Sequence, residues 1–387
     1  MYLDSHHRRS RSRWPLVLLL IIVALGTVYV YENRASLLST LKGQLGLASD
    51  PGPTPSPMPL TAEEHRERAE SAFAQGKIDE AIEEAGRAVD MDPEDAAAHA
   101  QLGWLLILRH RDDDALQAAQ RAVELDAQNA AYQASLGMVL DWCGKPDEAV
   151  IACLRAQELD PEYARGYAYL AEAYADKGQL ERAEELALKA IGMDPDDAFC
   201  YRILGYVWEM MGLYEDATRP YEEAIKANDR LGFLYISLGR NLLTLGDMEG
   251  ALLQFDKATQ VDPRNACGYD LLGWTYFIAK AYDTAEVELR RATAVDPTYA
   301  PAYGHLGVTY YVQRNYEDAI GMFERAIELG STSVEYHYEL GLSYAYLGDC
   351  DSAIDWFLRA LELDPNCEIA QQGLRDCEDG GEGEDSG

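Results

Sequence analysis

The side chains whose chemistry could be catalytic or metal-binding are five histidines outside the N-terminal end, His65, His99, His110, His305 and His337, and seven cysteines. Acid–base or nucleophilic catalysis needs a histidine within hydrogen-bond reach of a nucleophile or a carboxylate. These five are scattered along the chain, and none has a Ser, Cys or carboxylate at a spacing that implies a triad or a general base. Cys143, Cys153, Cys200, Cys267, Cys350, Cys367 and Cys377 include no C-x-x-C pair and adjoin no His-rich cluster, as a zinc site would require. The expectation is a non-enzyme with no catalytic residue, no metal, no cofactor and no identifiable small-molecule substrate. Most of the cysteines read as small core residues. In an oxidising compartment Cys377 could bridge to Cys367 or to Cys350, and the odd total leaves at least one thiol free.

Charge narrows the partners. The 387 residues carry 33 Lys and Arg against 67 Asp and Glu, a formal net charge of -34. Such a surface argues against nucleic acid, whose phosphates demand clustered Lys and Arg. Many of the acids have a local role at helix starts, as at Asp79-Glu80, Asp147-Glu148 and Glu317-Asp318. Asp92, Asp160, Asp194, Asp262, Asp296 and Asp364 each precede a proline that closes a helix.

The elements that hold these residues are legible in 334–367, VEYHYELGLSYAYLGDCDSAIDWFLRALELDPNC. Leu340, Gly341 and Tyr344 recur at helical spacing, Gly348 breaks the pattern, and Ala353, Phe357 and Ala360 mark a second helix that Asp364-Pro365 ends. Moving back in steps of 34, the position of Ala353 is held by Ala319, Ala285, Ala251, Ala217, Ala183, Ala149, Ala115 and Ala81. The positions of Ala360 and Gly341 hold Ala or Gly in every unit, and that of Leu340 departs from Leu only at Arg68 in the first. Nine helical hairpins therefore tile 62–367 without an insertion. Small residues at these registers allow close helix approach. One hairpin cannot bury its own apolar face, so stacked units share a continuous core.

The period, with L-G-x-x-Y, then A-x-x-x-F-x-x-A and a closing Pro, resembles the tetratricopeptide repeat (TPR) family over about four-fifths of the chain. The resemblance implies an all-α fold, a right-handed α-α superhelix of nine 34-residue repeats plus a capping helix, whose first helices line a concave groove. Function is less constrained, because such arrays serve adaptors, chaperone partners and assembly factors alike. Family members that clamp a C-terminal carboxylate use Lys and Asn at the fifth and ninth positions of a unit. Here those positions read Arg66 and Glu70, Ala100 and Trp104, Ala134 and Met138, Ala168 and Glu172, Arg202 and Tyr206, Ile236 and Arg240, so no such clamp is present.

On that resemblance the second, fifth, ninth, twelfth and thirteenth positions of each unit point into the groove. The partner-binding candidates are Trp104, Ile107, Met138, Trp142, Phe199, Tyr206, Met210, Phe233, Arg240, Trp274, Phe277, Tyr311, Tyr338 and Tyr346. Charges at Arg165, Glu172, Asp176, Arg202, Glu209 and Asp270 interrupt this apolar set. Exposed aromatics are the usual anchors of protein recognition. The competing reading, that individual rings pack between successive first helices, stays open at each position.

Ahead of the repeats, 1–13 form a basic tail and 14–31, WPLVLLLIIVALGTVYVY, contain no charge. At about 1.5 Å per residue this run just spans a bilayer core of roughly 30 Å, with Trp14 at one interface and Tyr29 and Tyr31 at the other. No small-residue cleavage site follows promptly, so an uncleaved signal anchor is expected. Arg8, Arg9, Arg11 and Arg13 keep the N-terminus cytoplasmic by the positive-inside rule, which sends the repeats across the membrane. Residues 32–61 are a juxtamembrane segment and a linker with five prolines in 49–60, semi-rigid and extended.

His65 and Arg68 replace apolar residues in the first unit, consistent with an end facing water. Residues 368–378 are expected to cap the ninth unit as a helix, and 379–387 to be a disordered acidic tail. Pro220 is expected to kink the second helix of the fifth unit, and Gly330-Ser331 marks an irregular junction. Together these readings describe a membrane-tethered, extracytoplasmic scaffold that binds protein or peptide segments. The alternatives are a cytoplasm-facing adaptor or a subunit of an enzyme complex.

Overall fold

The computed structural model describes residues 60–381, and the expected basic tail, membrane span and most of the linker lie outside them. Among the described residues there are nineteen helices and no strand. The first helices of the nine hairpins are α1 (Ala62–Ala74), α3 (Ala96–Ile107), α5 (Ala130–Trp142), α7 (Ala164–Asp176), α9 (Ala198–Met210), α11 (Gly232–Thr244), α13 (Ala266–Ile278), α15 (Ala300–Val312) and α17 (Val334–Tyr346). Their partners are α2 (Ile78–Met91), α4 (Asp112–Leu125), α6 (Pro146–Leu159), α8 (Leu180–Met193), α10 (Tyr214–Ala227), α12 (Met248–Val261), α14 (Tyr282–Val295), α16 (Tyr316–Glu328) and α18 (Cys350–Leu363). A last helix, α19 (Glu368–Gly381), covers α18 and runs into the stretch expected to be disordered. None of the described helices is long and apolar enough to cross a membrane.

Local chemistry sets each boundary. Thr61 and Glu64 form a reciprocal capping box at the start of α1, with Thr61 N–H donating to Glu64 at 2.7 Å. Asp95, Asn129, Asp197 and Asn265 cap the N-termini of α3, α5, α9 and α13 through their side chains. Between the helices of a hairpin the chain turns through a left-handed residue. It is glycine in six units, but His110, Lys280 and Arg314 hold the same position at φ 54°, 62° and 62°.

The alanine and glycine registers are where helices touch. A Cβ on Gly341 would lie 2.7 Å from the Phe357 ring, so the large residue of the second helix occupies the space that the glycine leaves. Every alanine in the register of Ala353 is fully buried. Successive first helices also pack on one another, and one core cluster runs from Ile78 in the first unit to Leu234 in the sixth.

One local expectation changes. His65 is buried, its Nδ1 2.5 Å from the Glu84 carboxylate, so the first unit turns a polar pair inward rather than facing water there. The helix α10 continues through a buried Pro220. The junction at Gly330-Ser331 is irregular as expected: α16 ends early, and Gly330 takes φ 94°.

Candidate functional site

The solenoid curls until its first two units meet the fifth, sixth and seventh. Arg109, in the turn after α3, donates to Asp79 at 3.0 and 3.3 Å and to Asp262 at 2.8 Å through two nitrogens. Arg264 adds a bond to Asp79 at 3.0 Å. Beside this clasp the Phe73 ring stacks on Phe199, with centroids 6.3 Å apart, and His110 lies 6.4 Å from Tyr299. The approach is close enough that a Cβ on Gly76 would fall 1.9 Å from the Arg230 carbonyl oxygen, at a φ of 77° that already favours glycine.

Closure sorts the groove candidates into two groups. Ile107, Met138 and Phe199 are 1%, 1% and 2% exposed, so the inward face they were expected to present is packed. Trp104 is half-buried in edge-to-face contact with Phe73 at 4.5 Å, and Phe233 lies 5.4 Å from Phe199. For Phe199 the physical reason is the curl, which sets Phe73 of the first unit against its ring. A first-helix face that would look onto solvent in an extended array meets the first unit instead.

What remains between the walls is a chamber of about 930 Å³, lined by Trp142, Tyr206, Met210, Phe233 and Arg240 from the expected set, with the edge of Ile107 on its wall. Sequence reasoning missed His110 and Tyr299 on its wall, because the seventh unit meets the second only through the curl. It is strongly charged on one side. Arg202, buried, binds both oxygens of Glu172 at 2.7 and 2.8 Å. Tyr206 donates to Asp176, and Tyr221 donates to Glu209 at 2.8 Å. Burial, reinforced by Glu172 and Asp176, pushes the Asp141 carboxyl up to about 8. Asp141 occupies an inward twelfth position, the one signal that could have singled it out.

The period of these units, their left-handed turn and their small-residue contacts agree with the comparison to known families. Tetratricopeptide repeat models match residues 72–139, 144–198, 234–265 and 305–366, together more than half of the chain. The chain belongs to the tetratricopeptide repeat family. Among solved structures the TPR array is similar to the APC/C hetero-tetramer Cut9-Hcn1, at 18% identity and a TM-score of 0.59 over 82% of this chain and 67% of that one. It is also similar to pilF of Pseudomonas aeruginosa, at 19% identity and a TM-score of 0.50 over 56% of this chain and 98% of that one. Likeness at this identity speaks for the fold alone. No curated protein sequence matches the chain.

The C-terminal TPR units present the remaining candidates. Trp274 stacks on Phe277 at 4.6 Å and on the His305 ring at 4.2 Å, forming a three-ring column across α13 and α15. His305 is held by Asp270, Nδ1 to Oδ1 at 2.7 Å. Tyr316 and Tyr346 stack at 4.8 Å with Tyr311 alongside, and Tyr346 is 60% exposed. Tyr338 is half-buried against the core of the last hairpin. The His305 ring therefore has an orienting carboxylate and an indole face, and its polar partner is Asp270 rather than a nucleophile. Among the described residues no group of three or more His, Cys, Asp or Glu is placed to hold a metal ion.

Proposed function

We propose that this protein is a non-enzymatic, membrane-tethered TPR scaffold that captures segments of partner proteins on the aromatic face of its seventh to ninth units, on the extracytoplasmic side. The observation that carries the reading is the aromatic cluster of Trp274, Phe277, Tyr311 and Tyr346 on successive first helices, in which Tyr346 is exposed and the other three rings are half-buried. Rigid aromatic rings give large contact area at little entropic cost, and contiguous exposed apolar surface marks interaction sites. The polar residues beside it, Asp270 and His305, give a bound segment a direction. Tethering is supported by the uncharged run 14–31, and sidedness by Arg8, Arg9, Arg11 and Arg13 ahead of it.

Two experiments test the two halves. Affinity capture from detergent-solubilised membranes, comparing the natural chain with Trp274→Ala/Tyr346→Ala, should lose a specific partner in the variant at unchanged helicity. A topology reporter fused after Gly387 should be active outside the cytoplasm; cytoplasmic activity would leave the capture surface standing and make the protein a cytoplasm-facing adaptor.

A further inference from the structure

In and beside one corner of the chamber four carboxyl groups stand around two arginines. Glu172 and Asp176 of α7 and Glu209 of α9 line it. Asp141 of α5 adjoins Glu172 and Asp176, is 4% exposed, and has no hydrogen-bond partner on either carboxylate oxygen. Arg202 engages Glu172 through Nη2, while its buried Nε has no partner. Arg240, on the far side, acts on Glu209. The indole of Trp142 lies 5.4 Å from the Arg202 guanidinium carbon, and Tyr206 borders Asp176. Carboxylates withdrawn from water are costly unless paired. Burial accordingly holds Asp176 and Glu209, like Asp141, above the usual carboxylate range.

We infer that this corner is a binding site for an organic cation of the guanidinium or alkylammonium class, seated against Glu172 and Asp176, with buried Asp141 beside them and Trp142 and Tyr206 as aromatic walls. A positive group there favours the ionised form of Asp141, which burial otherwise holds protonated at neutral pH, and can lie on ring faces that attract cations. The chamber's volume of about 930 Å³ suits an organic molecule, or a long side chain with its adjoining segment, rather than a bare metal ion. The cation arrives either free, as a polyamine, or on an arginine or lysine of a partner. The second source rests on the scaffold reading above.

Isothermal titration calorimetry of the full-length chain distinguishes these cases. The probes are N-acetylargininamide, spermidine and a blocked hexapeptide with one central arginine, with N-acetylcitrullinamide as the uncharged isostere. At least one cationic probe should bind saturably and the citrulline probe should not. Binding should weaken roughly tenfold or more in Asp141→Asn/Asp176→Asn and persist or strengthen in Arg240→Ala, because the double variant removes the Asp176 charge and the carboxyl that a bound cation would ionise at Asp141, whereas Arg240→Ala removes a repulsive charge. A hexapeptide that outbinds both free probes assigns the site to a partner's side chain, and spermidine that outbinds the others assigns it to a free polyamine. Arg240 is exposed, so its variant reads the sign of the site even if the double variant fails to fold. No binding by any cationic probe, equal binding of the citrulline isostere, or weakening in Arg240→Ala overturns the proposal. None of these outcomes bears on Trp274 and Tyr346, whose variants test the scaffold reading separately.

Discussion

Arg109 of the second repeat and Asp262 of the sixth, 153 residues apart, form a two-pronged ion pair with both nitrogen–oxygen distances at 2.8 Å. The contact converts an open solenoid into one closed over its first six units. Both side chains are nearly buried, at 12% and 6% exposure, so the pair is held by geometry that solvent does not loosen. Its position decides which faces of the repeats remain available to a partner.

Removing one member of a buried pair leaves the other charge without compensation, at a cost of about 3 kcal/mol or more. Arg109→Ala should therefore lower the denaturant midpoint and lengthen the molecule, because Asp79 and Asp262 no longer share a cation. Small-angle X-ray scattering should show a larger maximum dimension for the variant. An unchanged dimension would mean that the aromatic contacts of Phe73 close the array unaided.

The buried acids make stability depend on pH in a definite direction. An unfolded aspartate titrates near pH 4, whereas burial and the neighbouring Glu172 and Asp176 raise Asp141 to about 8 in the folded chain, Arg202 opposing them. Between those values the folded state holds a proton that the unfolded state has lost, so stability is complete below about pH 4 and declines as pH rises through 8. Glu339, raised to about 8 by burial and by Glu335, contributes with the same sign. Urea unfolding from pH 5 to pH 9 should show this decline, and Asp141→Asn should flatten it while raising the midpoint at the alkaline end.

The two tryptophan environments should respond differently to truncation. Trp104 packs against Phe73 at the closure, and Trp104→Ala should destabilise the array by about 3 kcal/mol, as for other large-to-small core changes. Trp274 is half-buried in a column with Phe277 and His305, away from the contact with Phe73, so Trp274→Ala should reduce partner capture with a smaller loss of stability. Equal destabilisation by both changes would place Trp274 in the core.

Cys350 and Cys377 sit thiol against thiol where α19 covers α18, which selects one of the two pairings open in the sequence. Burial and the neighbouring thiol push Cys377 up to about 12, so little thiolate exists at neutral pH and spontaneous bridging is slow. Diamide should bridge the pair with loss of two hydrogens by mass and slow proteolysis of the last helix, and Cys377→Ser should abolish both effects.

The repeats were legible because their signature is local and steric. Gly341 must be small since the Phe357 ring stands where its Cβ would go, and a similar close approach recurs at Gly103, Gly137, Gly205, Gly239, Gly273 and Gly307. Asp–Pro stops and side-chain caps are equally local. The left-handed turn was hidden in three units, where His110, Lys280 and Arg314 stand in place of glycine. The site was only half legible for a different reason. Whether an inward residue meets solvent depends on how tightly successive hairpins rotate, a property summed over many interfaces and written in no single unit. Phe199 and Tyr346 occupy comparable inward positions, yet one is enclosed by Phe73 from the first repeat while the other stays open beyond the closure. The clasp of Asp79, Arg109, Asp262 and Arg264 likewise carried no signal in the sequence, since each residue reads as an ordinary turn or cap charge.

The central claim is that partners are held on the inner aromatic face of the last units. A photoreactive phenylalanine analogue placed at Tyr346, and in a second sample at Leu358 on the exposed side of α18, tests it most directly when the full chain is crosslinked in its native membrane. A defined protein adduct from position 346, absent from position 358 and lost on Trp274→Ala, is the predicted result. Adducts from position 358 with none from position 346 would contradict it.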